Sequence, residues 1–154
     1  VTKPVSRSKV VCAKAVACIC NLFALAVFSG LCNYFTAILP LGGLEQREAV
    51  FTTTLGLFLT GLTLFAITLL ASSLTRTYKG AVRIGAGILL LFYGISITAE
   101  YLEVPMLYCL TPLKFFDVYT VAMSGIQFSF LLLAMIIAIG SVITAQRVWM
   151  LREI

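Results

Sequence analysis

Four unbroken apolar runs constrain this chain more than any other feature of its sequence. They fall at about residues 15–39, 49–74, 81–99 and 118–145. About 20 apolar residues, rising 1.5 Å each in a helix, cross a hydrocarbon core roughly 30 Å thick. A strand of an outer-membrane barrel needs only about 10 residues and alternates apolar with polar, which these runs do not. The sequence therefore predicts an all-α membrane protein, a single domain over 1–154 with four transmembrane helices. Composition agrees. Of 154 residues 61% are hydrophobic and 11% are charged, against about 45–50% and about 25% in soluble domains. The fourth run is longer than a crossing requires, so a tilt or a projection beyond the bilayer is expected. Pro4, Pro40, Pro105 and Pro112 all lie outside the runs, so the four helices are expected to be continuous.

Charge sets the expected orientation. Lys3, Arg7, Lys9 and Lys14 precede the first run, Arg76, Lys79 and Arg83 lie between the second and third, and Arg147 and Arg152 follow the fourth. The opposite side holds Arg47 and Lys114 with Glu45, Glu48, Glu100, Glu103 and Asp117. The basic side is expected in the cytoplasm, which makes both termini cytoplasmic and the order up-down-up-down. These charges flank membrane spans, so they point to anionic lipid headgroups and not to nucleic acid. Tyr34, Phe35, Tyr101, Tyr108, Phe115, Phe116 and Tyr119 are expected as an aromatic belt at the outer interface, with Tyr78 and Trp149 at the inner one. The first run is too long for a signal-peptide core of about 7–15 residues and ends at Leu39–Pro40, so it reads as a true span. Because the sequence opens on Val1 and stops just past the fourth run, further residues are expected at both ends.

Packing inside a bilayer comes from small residues and interhelical hydrogen bonds, since lipid tails already cover apolar surface. The small-residue stripes are Ala13, Ala17, Cys20 and Ala24 on the first helix, with Asn21 beside them, then Thr53, Gly56, Thr60 and Thr63 on the second. Gly80, Gly87 and Gly94 mark the third. Ser124, Gln127, Leu131, Ala134, Ala138, Ser141 and Ala145 mark the fourth. The period near 3.5 predicts an antiparallel, left-handed four-helix bundle. Asn21, Gln127 and the threonines are expected as hydrogen bonds between helices, the alternative being the lining of a solute path. No ionisable residue stands near the middle of a run, which argues against transport coupled to protons or ions. Lys114 and Arg47 are available as partners for the outer carboxylates.

Candidate chemistry is sparse. Only Cys32 and Cys109 would meet an oxidising compartment, so they are the candidate disulfide. Cys12, between Lys9 and Lys14, is a candidate palmitoylation site. The chain has no histidine, which excludes His-ligated metals and haem. No Gly-rich phosphate loop or nucleophile with its base occurs. No enzyme activity, metal or cofactor is expected. The four-span outline resembles tetraspanins, claudin-like proteins and MARVEL-domain proteins in topology alone, and no functional residue carries over from them.

Three functions follow from these readings. The first is a structural or auxiliary subunit packing laterally in a larger complex such as a channel or transporter, or against its own copies, with the Gly87 and Gly94 face of the third helix as the contact. The second is a small oligomeric pore or facilitative carrier. The third is a lipid-binding or lipid-processing protein that uses the basic loop between the second and third helices.

Overall fold

The computed structural model describes residues 7–38, 44–75, 77–102 and 105–151. The sequence expectations for Val1, Lys3, Pro4, Leu39, Pro40, the Gly42–Gly43 turn, Arg76, Glu103 and Arg152 lie outside these residues, as do those for the side chains of Arg7, Lys9, Glu45 and Trp149.

All regular structure among the described residues is helical. Helix α1 is Arg7–Asn33 and runs into a π-helical turn, Tyr34–Ile38; α2 is Leu44–Leu74 and α3 is Tyr78–Leu102. Three short helices follow: α4 (Pro105–Tyr108), α5 (Pro112–Phe115) and α6 (Val118–Ser124). Helix α7 is Phe128–Leu151. Four stretches are long and apolar enough to cross a membrane: Cys12–Thr36, Arg47–Leu74, Tyr78–Leu102 and Phe128–Val148. The protein is thus an integral, multi-pass membrane protein.

The fourth run differs from its expectation. It is two helices, α6 and α7, separated at residues 125–127. Gly125 takes φ 73°, and its N–H donates to the Val121 carbonyl to end α6. Positive φ suits glycine, which has no Cβ to clash. The Gln127 carbonyl then accepts from the Leu131 N–H at 3.1 Å and starts α7. The span that crosses is therefore the shorter Phe128–Val148.

Helix α2 is the centre of the fold. Helices α1, α3, α6 and α7 all pack on it, α7 most extensively, and among the described residues the backbones of α1, α3 and α7 do not closely approach one another. A closed bundle would join them. Lipid covers their outer faces without penalty, so no closed core is needed. Small side chains make the central contacts: Thr63, Ala66, Ala71 and Ser73 on α2 and Ala134, Ser141 and Ala145 on α7 are buried.

The α1 contact uses a different face from the Ala13, Ala17, Cys20 and Ala24 stripe, which is exposed together with Asn21. A Cβ on Gly30 would sit 3.0 Å from the Thr54 Cγ2, and one on Gly61 would sit 3.2 Å from Leu22 Cδ2. Phe23 also meets Phe58 edge-on, with ring centroids 5.9 Å apart. Leu22, Ala26 and Gly30 repeat every four residues, and a shift of two residues turns a helix by about 200°. The Ala24 stripe therefore faces away.

The hydroxyls on α2 differ from their expectation as well. Thr53 donates to the Ala49 carbonyl (2.7 Å), Thr60 to Gly56 (3.0 Å) and Thr63 to Leu59 (3.0 Å), all within their own helix. The nearest free lone pair in hydrocarbon is the carbonyl one turn back. Gly56 on the same stripe lies against α5 and α6: an added Cβ would be 3.3 Å from Phe116 Cβ and 3.8 Å from Val121 Cγ1.

Candidate functional site

The segment 105–124 folds back among the spans. Pro105 and Pro112 open α4 and α5, where a missing N–H does no harm. Thr111 precedes α5 but gives it no side-chain cap. Its hydroxyl instead donates to the Phe92 carbonyl on α3 at 3.2 Å, and the residue is fully buried. Phe115, Phe116 and Val121 are buried with Ala134 of α7, and Leu59 of α2 packs against them. Phe92 lies ten residues before the end of its span at Leu102, and Gly56 nine residues after the start of its own at Arg47, so both contacts sit about 14–15 Å inside the helix ends. Phe115 and Phe116 are thus core residues and not members of an interfacial belt. A helix break at 116–117 precedes Val121, so no helical periodicity links them to it.

Folding the segment inward leaves a partly open cavity of about 320 Å3. One wall is polar. The Lys114 ammonium donates to Glu100 Oε2 at 3.2 Å and to Asp117 Oδ1 at 3.4 Å. Asp117 Oδ2 lies 3.5 Å from the Thr120 hydroxyl. The Lys114 side chain is only 13% exposed, whereas Glu100 is 72% exposed at the rim. Burial pulls the Lys114 pKa down; the hydrogen bond to Glu100 and the charges of Asp117 and Glu100 pull it up and prevail, so it lies above the ordinary lysine value. Tyr108, Phe115, Val121 and Phe130 also line the cavity. Phe115 and Phe130 stack with centroids 5.7 Å apart at 18°. Gly125 and Gln127, at the break between α6 and α7, complete the lining.

A second depression, about 610 Å3, runs along α3 and is lined by Gly87, Leu90, Leu91, Gly94, Ile95, Thr98 and Leu107. A Cβ on Gly87 or Gly94 would meet nothing within 4 Å. Gly85, by contrast, faces Thr68 of α2 at 3.9 Å, about 200° around the helix from Gly87. Gly80 lies seven residues before Gly87, on the same side of α3, and is close to Thr77, whose hydroxyl accepts its N–H at 3.2 Å.

The remaining sequence candidates scatter. Ala138 is half-buried on α7, whereas Ser124 and Gln127 are exposed. All five cysteines are free and exposed, so Cys32 and Cys109 are not bonded. A disulfide needs Cα atoms within about 7 Å, and α1 packs on α2 while α4 packs on α3 and α5. The sequence supplied Lys114, Glu100 and Asp117 as possible partners but gave no sign of the cavity between them. Its available signal was Gly125, a breaker inside an apolar run.

The family described as ABC-2 family transporter protein matches residues 1–127 of the chain, which takes in the first three spans and the inward-folded segment. No curated protein and no solved structure matches the chain.

Proposed function

Because the chain belongs to the ABC-2 family of transporter proteins, we propose that it is a membrane-spanning part of a transporter, held laterally within a larger membrane assembly. The three families with a similar four-span outline are set aside by that membership. The observation that carries the assembly reading is the open α3 face, where Gly87 and Gly94 leave the backbone bare opposite the side that packs on α2. Small residues let a neighbouring helix approach closely in a bilayer.

The proposal includes an antiparallel order of spans with both termini in the cytoplasm. The short 75–77 connection between two helices that pack side by side supports the first, and the basic flanks support the second. Those flanks also suit anionic lipid headgroups. The proposed role is binding and conduction without covalent chemistry. The 154 residues hold no phosphate-binding loop, in keeping with that role. Thr60 and Thr63 are turned into the contacts of α2 and satisfied by their own helix, which favours a route between this chain and its partner over one through a single chain.

Purification in mild detergent tests the reading. The expected result is a stoichiometric membrane partner that is lost when Gly87→Leu and Gly94→Leu are combined. Unchanged co-purification of the double variant refutes the α3 contact, and a monomeric, partner-free wild type refutes the assembly.

A further inference from the structure

We propose that the cavity between α3, the inward-folded segment and α7 binds an alkylated ammonium group. Three observations carry this. The polar wall holds two carboxylates and one ammonium, Glu100, Asp117 and Lys114, which sum to one net negative charge. Lys114 is already engaged by both acids, so an anion would have to displace a carboxylate, whereas a cation adds to an existing deficit. The lining is also aromatic, with the stacked Phe115 and Phe130 and with Tyr108. Ring faces attract cations by about 0.5–2 kcal/mol, and aromatic-lined pockets hold quaternary ammonium groups.

Size and position fit the same ligand class. A volume near 320 Å3 lies at the small end of pockets for organic molecules, about 300–1,000 Å3. Glu100 stands at the rim, 72% exposed, two residues from the end of its span at Leu102. Of its two oxygens, Oε2 meets Lys114, which leaves Oε1 as the first negative atom an entering cation encounters. At that depth both a free alkylammonium solute and the headgroup of a choline-type lipid can reach the mouth, and the recognised chemistry is identical.

The site stands apart from the transport reading, since binding is read without transport. The test is calorimetric titration of the purified chain in an uncharged detergent with choline and with 3,3-dimethylbutanol, its uncharged carbon isostere. Native mass spectrometry in parallel compares retention of phosphatidylcholine with that of phosphatidylglycerol. The expected result is choline binding at least about tenfold tighter than the isostere, weakened about tenfold by Glu100→Gln and at least about threefold by Phe130→Leu. Glu100 is exposed, so its variant retains the fold. Choline binding without lipid selectivity identifies a free solute as the source, and selective retention of phosphatidylcholine identifies the headgroup. Equal uptake of choline and isostere, or affinities unmoved in both variants, overturns the proposal.

Discussion

Replacing Gly56 and Gly87 by leucine, one at a time, separates the packing of this fold from its helix propensity. Both glycines sit in the interior of long helices, so each substitution gains the same intrinsic preference, a little under ~1 kcal/mol. Their surroundings differ. At Gly56 the Cβ alone would come within 3.3 Å of Phe116 Cβ, and at Gly87 nothing lies within 4 Å. The γ and δ carbons of a leucine at 56 would have to displace Phe116 or Val121, and such overpacking costs about 1–3 kcal/mol. The propensity gain cancels in the comparison. Gly56→Leu is therefore expected to be about 1–3 kcal/mol less stable than Gly87→Leu. The assay is reversible unfolding of each purified variant in mixed micelles of mild and denaturing detergent, followed by helical circular dichroism. Equal stability of the two variants within ~0.5 kcal/mol would refute the close approach of α5 and α6 to α2.

Three other outcomes follow from the geometry. Gly125→Ala places a Cβ at φ 73° and ψ −173° and is expected to destabilise the α6–α7 junction by about 1–3 kcal/mol, read in the same unfolding assay. Because the folded-state pKa of Lys114 is raised, its stabilising contribution is full below the unfolded lysine value of about 10.4 and is lost as pH rises through the higher folded value; unfolding from pH 9 upward in wild type and Lys114→Met checks this, and an identical alkaline loss in both would count against it. Reduction is expected to leave stability and mobility unchanged, since Cys32 and Cys109 are free thiols; a mobility shift on reduction would contradict the structure.

The spans were legible because each requires only a long apolar run, and no other physical signal in a sequence is as direct. The break at Gly125 was not. Apolar residues continue on both sides of it, and hydropathy does not register a single residue's φ. The burial of Phe115 and Phe116 was equally hidden, since an aromatic next to a span reads as an interfacial anchor until a tertiary bond, here Thr111 to Phe92, pulls it inward. The stripes met the same limit. A run of small residues fixes which face of a helix can be approached, and only the three-dimensional contacts decide which approach occurs. On α1 the contact fell to Leu22, Ala26 and Gly30. The absence of a mid-span ionisable residue argued against transport coupled to protons or ions, and the chain belongs to a transporter family. The argument holds for ion-coupled mechanisms and has no force against transport that is not ion-coupled.

The self-bonded hydroxyls of α2 bear on the order of synthesis. Helix α2 leaves the ribosome well before α7, the neighbour it contacts most. In that interval its central face is open to lipid, where an unsatisfied polar group costs several kcal/mol. Thr63 and Ser73 carry their partners within their own helix, one turn back. Helix α2 can therefore wait in the bilayer as a finished surface, and α7 docks onto it by shape alone without any exchange of hydrogen bonds.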